Sequence, residues 1–131
     1  VSLKTKKNVI CLDGDGSFLM HLGSIATISK IAGKNFKHVL FNNYSHESVG
    51  GQTTNIDKLN IKNLVLSSGY KRYFKIKAKK QVSLKLEKFL KLKGPSFLEI
   101  NISSGSLKNL KRPKNLQAVK KKFMNSFKKK K

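Results

Sequence analysis

Two short polar motifs, each placed directly after an apolar run, constrain the fold of this chain more than any other feature. The first run, residues 9–12, ends at the Asp-Gly-Asp-Gly sequence of residues 13–16, and the second, residues 38–41, ends at an Asn-Asn pair. Both runs have the length and the apolar character of strands that are buried in a parallel sheet. Between them, residues 17–32 repeat apolar side chains at helical spacing. The sequence therefore predicts a β-α-β unit with two parallel strands.

The two polar motifs are expected to meet at one edge of that sheet, where open α/β sheets bind ligands. Asp15 and Asn43 follow the two strand ends, so we expect their side chains to converge. A carboxylate and an amide oxygen suit Mg²⁺ or Ca²⁺ and suit zinc poorly. Phe18 stands where a calcium loop of the EF-hand type needs glycine, which disfavours that alternative. One carboxylate does not neutralise a divalent ion, so we expect the ligand to supply further negative charge, as a diphosphate would. The backbone N–H groups at the start of the helix after Gly16 would face the same anion.

The spacing of these motifs resembles the cofactor motif of a known enzyme family. Residues 14–16, Gly-Asp-Gly, are followed after 25 residues by the Asn-Asn pair, a pattern similar to that of the thiamine-diphosphate-dependent 2-oxoacid decarboxylases. Within that family the phosphonopyruvate decarboxylases are the most similar group. The similarity to them extends over residues 12–23, 42–54, 94–100 and 112–113.

The resemblance implies a fold, a cofactor and a set of site residues. The implied fold is an α/β domain of three layers, αβα, with a mostly parallel sheet that binds thiamine diphosphate. Asp15, the Asn43 side chain and the backbone carbonyl of Ser45 would ligate Mg²⁺. The Gly-Gly-Gln sequence of residues 50–52 fits the phosphonopyruvate and sulfopyruvate enzymes better than pyruvate decarboxylase. The residues implied to contact the cofactor are Gly14, Asp15, Gly16, Ser17, Asn43, Ser45 and Gly50.

The resemblance also implies an activity and a partner. The chain would hold the cofactor diphosphate in a phosphonopyruvate decarboxylase, which forms phosphonoacetaldehyde and CO₂. A sulfopyruvate decarboxylase subunit or another 2-oxoacid decarboxylase stays open as an alternative. In the family, an activating glutamate comes from a pyrimidine-binding domain or subunit, and none of the six acids here matches its motif. We therefore expect residues 1–131 to be one domain of an N-terminally incomplete chain, within a homo-oligomer or two-subunit assembly, and to be inactive alone.

His46 follows the second motif and is the candidate catalytic residue. It could position or protonate a reaction intermediate, or it could only stabilise the loop together with Glu47. Asp13 is expected to brace the first motif by accepting backbone N–H bonds. His21 and His38 have no matching set of metal ligands nearby in the sequence, so we expect both to be structural.

The charge of the chain leaves a second class of function open. There are 29 Lys and Arg residues against six Asp and Glu, a net charge of +23, which permits a basic, non-catalytic nucleic-acid-binding module. Arg72 and Arg112 are the only arginines, however, and bidentate recognition of phosphates and bases favours arginine. We therefore interpret the lysines as a solvated surface and expect no specific nucleic acid. Salt-sensitive binding to polyanions would follow from the charge alone.

Cys11 and the lack of long apolar stretches indicate a compartment. A single cysteine cannot form a disulfide within the chain, which suits a reducing, cytoplasmic location. Its place in an apolar strand should raise its pKa and argues against a nucleophile. No apolar stretch has the length of a membrane span, so no membrane partner is expected.

The rest of the sequence predicts alternating helices and strands. Asn55 is expected to cap a helix, and the lysines after residue 127 are expected to fray. The predicted elements are a helix with an irregular middle over residues 56–69, an edge strand over 70–77, a helix over 81–92, a buried strand over 96–102, a loop over 103–106 and a final helix over 115–128.

Overall fold

The computed structural model describes residues 1–105, 109, 111 and 113–127. Four strands form one sheet in the order β1-β2-β4-β3, and each neighbouring pair is parallel. The strands are β1 (Val9–Gly14), β2 (Phe36–Asn42), β3 (Arg72–Ile76) and β4 (Ser96–Asn101). The described residues also form the helices α1 (Asp15–Met20), α2 (Ser24–Ile31), α3 (Ile61–Ser67), α4 (Val82–Lys91) and α5 (Leu116–Asn125).

Helices cover both faces of the sheet, because alternate side chains of each strand point to opposite sides. On the face of α1, α2 and α3, one apolar cluster joins the helices to β2 and β4. On the other face, α4 packs Phe89 against Val39, Ile76 and Leu98. The predicted α/β fold of three layers with a parallel sheet is therefore confirmed. The cluster on the α3 face consists of Phe18, Ile25, Leu40, Ile56, Ile61, Val65, Tyr70 and Phe97.

The strand register brings three chain segments out at one edge of the sheet. Gly14 at the end of β1 pairs with Phe41, and Asn42 at the end of β2 pairs with Asn101 of β4. The turn after β1 and the loops after β2 and β4 therefore begin side by side. This is the arrangement that the β-α-β pattern predicts for the two polar motifs.

The helix predicted over residues 17–32 is interrupted. α1 ends at Met20 and α2 begins at Ser24, with Gly23 at its N-cap position. Both halves still bury apolar side chains in the same cluster, Phe18 from α1 and Ile25 from α2. The apolar spacing therefore predicts the buried face correctly but does not reveal the break.

The helix predicted over residues 56–69 is also divided, and its cap is different. A 3₁₀ turn at Ile56–Lys58 precedes α3, which is capped by Asn60 through a 3.1 Å bond from the Asn63 backbone N–H. Asn55 adopts a left-handed conformation (φ 55°) and makes no side-chain cap. Ile56 and Ile61 are both buried in the α3-face cluster. Residues five apart lie on different sides of one helix, so a break allows both to face the core.

The prediction that β1 is buried is wrong, because β1 is an edge strand of the described sheet. Ile10 and Leu12 are 48% and 66% exposed. They lie on the α4 face, but α4 packs against β2, β3 and β4. Near β1, Phe123 and Phe127 of the α5 region line a cavity with Ile10, and they leave much of the Ile10 and Leu12 side chains exposed. Cys11 points to the other side and is half-buried, and burial, together with the Asp13 carboxylate, raises the pKa of its thiol.

The second half of the chain follows its predictions more closely. β3 is the other edge strand, and α4 and β4 occupy their predicted segments. Asn115 caps α5 by accepting a 2.9 Å bond from the Ala118 backbone N–H. Ser106, Arg112 and residues 128–131 lie outside the described residues. None of the helices in the described part of the chain combines the length and apolarity that a bilayer crossing requires.

Candidate functional site

A cavity of about 610 Å³ opens where β1 and β2 end, and we call it the Asp15 cavity. This volume is typical of small-molecule sites. Seven of the eight site residues singled out from the sequence line it, and Gly50 does not. The lining residues are Gly14, Asp15, Gly16, Ser17, Met20, Phe41, Asn43, Ser45, His46, Glu47, Ser48, Val49, Gln52 and Ile102.

Asp15 stands in the first turn of α1 and is only 4% exposed. Its Oδ2 atom accepts a 2.9 Å hydrogen bond from the Thr54 hydroxyl, which is also buried. A buried carboxylate needs such a partner, because loss of water would otherwise disfavour its charge. Thr54 lies at the far end of the loop after β2, so this bond ties the β1–α1 turn to that loop.

The loop after β2 folds back on itself and exposes one carbonyl oxygen. Ser45 and Thr53 form an isolated antiparallel bridge. The His46 N–H donates to the Gln52 carbonyl at 2.8 Å, and the Thr54 N–H donates to the Tyr44 carbonyl at 3.1 Å. Within the described residues, the Ser45 carbonyl accepts none of these backbone bonds. Its oxygen is therefore available to a ligand.

The Asn43 amide is held at both ends. Its Oδ1 accepts a 3.1 Å bond from the Ser45 N–H, and its Nδ2 donates a 2.6 Å bond to Glu47 Oε2. Glu47 Oε1 also accepts a bond from the Gly105 N–H, which links the loop to the segment after β4. Because an amide oxygen has two lone pairs, Oδ1 keeps one for a further partner.

His46 lies against the β1–α1 turn. Its ring approaches Gly16 so closely that a Cβ at position 16 would collide with the ring nitrogen Nδ1. Position 16 therefore has room for a glycine only, because the His46 ring occupies the space in which a Cβ would lie. Gly50 stands at the rim with a φ of 133°, a conformation that side chains rarely adopt, so it shapes the turn rather than the cavity wall.

Among the described residues, the lining of the Asp15 cavity has no Lys or Arg, although the chain carries a net charge of +23. The described lining does include the carboxylates of Asp15 and Glu47. The described residues contain no group of three His, Cys, Asp or Glu side chains that could hold a metal. The lining residues Asp15, Asn43 and Ser45 can instead offer a carboxylate, an amide oxygen and a backbone carbonyl. This donor set fits Mg²⁺ bound together with a diphosphate, which would complete the coordination.

A second cavity, of about 520 Å³, opens on the α3 face, and we call it the Glu99 cavity. Glu99 is 1% exposed. Its Oε1 accepts bonds from Asn42 Nδ2 at 3.0 Å and from Lys75 Nζ at 2.6 Å, and its Oε2 accepts from the Tyr73 hydroxyl. Burial alone would raise the pKa of Glu99, but these three donors outweigh it and hold the pKa below its usual value. Burial and the bond to Glu99 raise the pKa of Tyr73.

Sequence reasoning did not identify the Glu99 group. The sequence does contain one signal for it, a single acid inside the apolar run of residues 96–100. A carboxylate in a buried strand requires hydrogen-bond partners, so this acid indicates a buried polar group. Its donors lie 24 to 57 residues away in the sequence, so their identity could not be read from the run itself.

Asp13 does not brace the first motif in the predicted way. Its carboxylate contacts His38 Nε2 at 3.3 Å, and His38 Nδ1 lies 3.0 Å from the Tyr70 hydroxyl. Asp13 and His38 project from the same face of the neighbouring strands β1 and β2, which brings them together. Burial lowers the pKa of His38, against the opposing effect of Asp13. The other histidine considered structural, His21, lies 3.3 Å from the Ser17 carbonyl.

Comparison with protein families gives a match over most of the chain. The family described as thiamine pyrophosphate enzyme, C-terminal TPP binding domain, matches residues 1–100. A solved structure from Mycobacterium smegmatis, assigned as a thiamin diphosphate-dependent enzyme, superposes with a TM-score of 0.62. That match covers 77% of this chain and 19% of the other at 22% identity, so it supports the fold alone.

Two curated relatives carry more specific names. A phosphonopyruvate decarboxylase of Streptomyces viridochromogenes is 36% identical over 114 residues, which is 87% of this chain and 29% of the relative. The beta subunit of a sulfopyruvate decarboxylase of Methanocaldococcus jannaschii is 41% identical over 58 residues, or 44% of this chain and 31% of the relative. The chain thus spans less than a third of the length of both relatives.

Proposed function

Because this chain belongs to the thiamine pyrophosphate enzymes, as their C-terminal TPP-binding domain, we propose that the Asp15 cavity holds the diphosphate of thiamine diphosphate through Mg²⁺. The observation that carries the proposal is the lining of the cavity. It offers hard oxygen donors and, in its described part, no Lys or Arg, so a diphosphate placed there requires a divalent cation. The proposed metal ligands are Asp15, Asn43 and the Ser45 carbonyl, and the proposed cofactor contacts are Gly14, Gly16 and Ser17, with Gly50 shaping the turn.

The wider activity is also a proposal. We propose that the whole protein converts phosphonopyruvate to phosphonoacetaldehyde and CO₂, which is supported by the names of the relatives. Sulfopyruvate is the second candidate substrate, because several sulfopyruvate decarboxylases also match. When bound, thiamine diphosphate supplies the electron sink for the loss of CO₂ from a 2-oxoacid.

The residues around the cavity have separate tasks in this proposal. Asp15 contributes the one carboxylate that would meet the metal, and Thr54 holds it in place. Glu47 orients the Asn43 amide. His46 lies against Gly16 at the cavity wall, and its proposed task is to donate a proton to a reacting oxygen or to receive one.

The proposal includes a partner that supplies the activating glutamate. Of the six acids, Asp15 and Glu47 are the ones in the described lining of the cavity, and both are engaged within the chain, by Thr54 and by Asn43. The rim of the Asp15 cavity exposes large apolar side chains, with Met20 71% and Val49 73% exposed. Exposed apolar groups around a cleft are typical of interaction sites. We propose that a pyrimidine-binding domain or subunit covers this rim in an oligomeric enzyme.

The binding proposal is tested with a pair of isosteric substitutions. Asp15→Asn removes the proposed metal ligand, whereas Asp57→Asn removes an exposed acid whose partner is the adjacent Lys58. Titration calorimetry of the purified protein with thiamine diphosphate and Mg²⁺ should show affinity weakened about a hundredfold or more by Asp15→Asn, about 2.7 kcal/mol. Asp57→Asn should bind like the unaltered chain.

Equal binding by the two variants would contradict the metal site. The substrate is tested separately, by assaying the assembled enzyme with phosphonopyruvate, sulfopyruvate and pyruvate. Turnover should be fastest with phosphonopyruvate, and a clear preference for sulfopyruvate would replace the first substrate proposal with the second.

A further inference from the structure

Asn42, the last residue of β2, is fully buried and uses both ends of its amide. Its Nδ2 donates to Glu99 Oε1 at 3.0 Å, and its Oδ1 accepts from the Tyr44 N–H at 3.1 Å. If the amide turned over, its Nδ2 group would face the Tyr44 N–H, and two donors would meet. Glu99 therefore determines which way the amide points and, through it, where the Tyr44 backbone lies.

Tyr44 is held in a conformation that non-glycine residues rarely adopt. Its φ is 62°, in the left-handed region, which is strained for a non-glycine residue and persists only where the surroundings impose it. Its hydroxyl accepts a 2.9 Å bond from Asn101 Nδ2. Asn42 and Asn101 thus fix Tyr44, which lines the Glu99 cavity, while its two neighbours, Asn43 and Ser45, line the Asp15 cavity.

Glu99 suits this task because it is held as an acceptor. Lys75 supplies a charge-assisted bond at 2.6 Å, and Tyr73 donates to the second oxygen. A carboxylate offers only acceptors, so the Asn42 amide has one favourable orientation. A neutral group that can also donate would allow the alternative orientation.

We propose that Glu99 is a positioning residue for the metal site, acting from the Glu99 cavity through Asn42 and Tyr44 on the loop that carries Asn43 and Ser45. The inference rests on the proposed role of that loop in binding Mg²⁺. Glu99 itself lines the Glu99 cavity and not the Asp15 cavity, so it acts without touching the metal or the cofactor. Groups that hold metal ligands in place typically change metal affinity tenfold to a hundredfold when they are removed.

The test compares Glu99→Gln with Glu87→Gln in the purified protein. Glu87 is exposed and pairs only with Lys91 on the same helix, so its variant is a matched control. Two constants are measured by calorimetry: the Kd of Mg²⁺ at saturating thiamine diphosphate, and the Kd of thiamine diphosphate at saturating Mg²⁺. Glu99→Gln should weaken Mg²⁺ binding by about tenfold or more, while excess Mg²⁺ restores thiamine diphosphate binding to within about twofold. Glu87→Gln should change neither constant.

A milder variant guards against a failure to fold. Tyr73→Phe leaves Asn42 and Lys75 as donors to Glu99, and it should weaken Mg²⁺ binding about twofold to fivefold, as expected for one lost hydrogen bond. Thermal unfolding without ligands is recorded for every variant, so a loss of affinity can be separated from a loss of folded protein.

Two outcomes would overturn the proposal, and they can be told apart. If Glu99→Gln and Tyr73→Phe unfold at lower temperature but bind Mg²⁺ as tightly as Glu87→Gln, Glu99 only stabilises the fold. If the unaltered chain itself binds thiamine diphosphate without any dependence on Mg²⁺, the proposed function fails and the positioning role fails with it.

Discussion

The Asp15 cavity and the Glu99 cavity are lined by alternate residues of one segment, yet the charged side chains in their linings differ. Phe41, Asn43 and Ser45 line the first, and Asn42 and Tyr44 line the second. The first has no described positive side chain, whereas the second is lined by three lysines, one of which neutralises a buried carboxylate. The difference teaches that a net charge of +23 does not locate the functional site. The cavity whose described lining has no Lys or Arg is the one for which we propose an added cation.

Removal of divalent metal tests the Asp15 cavity, whose described lining has no Lys or Arg, and should have the largest effect. Addition of EDTA should weaken thiamine diphosphate binding at least about a hundredfold, or 2.7 kcal/mol, because nothing in the described lining replaces the cation. The free energy of unfolding without ligand should not change, since the Glu99 group contains its own cation. Calorimetry and urea unfolding measure the two quantities. Undiminished binding in EDTA would show that the comparison is wrong.

Removal of the Lys75 ammonium group tests the Glu99 cavity. Lys75→Met leaves the buried Glu99 carboxylate without its charged partner, whereas Lys91→Met breaks an exposed pair with Glu87. We expect Lys75→Met to lower the free energy of unfolding by about 1–2 kcal/mol, less than for a fully buried pair because the Lys75 side chain is 30% exposed. Lys91→Met should cost less than about 0.5 kcal/mol. Equal costs in urea unfolding would mean that the Glu99 group does not depend on Lys75.

A glycine pair sharpens the comparison within the Asp15 cavity. Gly16→Ala places a Cβ against the His46 ring, whereas Gly23→Ala meets open space outside the cavity. Gly16→Ala should displace His46 and weaken thiamine diphosphate binding about fivefold, close to 1 kcal/mol. Gly23→Ala should leave binding unchanged. Similar affinities for the two variants, measured in the presence of Mg²⁺, would mean that the His46 position is irrelevant to binding.

The smallest effect concerns pH and the buried groups of the α3 face. The folded-state pKa of His38 is lowered by burial, so the unfolded chain takes up a proton first and stability falls as pH drops below about 6.5. The lowered pKa of Glu99 adds a second loss only below about pH 4.5. The free energy of unfolding, measured with urea at pH 7.5 and 5.5, should therefore differ by less than about 1.4 kcal/mol per pH unit. His38→Gln should remove this slope, and the exposed His21→Gln should retain it.

The sequence predicts the sheet and the meeting of the two motifs, because both depend on short-range patterns. Apolar runs of strand length and a helical period between them require that residues 15 and 43 come out at one edge. The same patterns do not predict the break between α1 and α2, and they indicate an irregular helix over residues 56–69 without showing that the core makes Ile56 and Ile61 both turn inward. Tertiary packing decides such breaks, and local propensity does not.

Polar partners were the least predictable part of the structure. Asp13 contacts His38, which lies on the next strand, and Glu99 receives donors from β2 and β3. The Glu99 group depends on strand order, because β4 lies between β2 and β3 and the order β1-β2-β4-β3 does not follow the chain. The resemblance to a family supplied the candidate metal ligands, but it did not indicate what holds them in place.

The outer edge of β1 has a consequence for how the chain behaves at high concentration. No strand pairs with that edge in the described part of the chain, and Ile10 and Leu12 lie exposed beside it. Such an edge can recruit strands from other molecules and start aggregation. Strong like-charge repulsion between chains of +23 opposes this, and salt screens that repulsion. The colloidal stability of the chain therefore decreases as ionic strength rises.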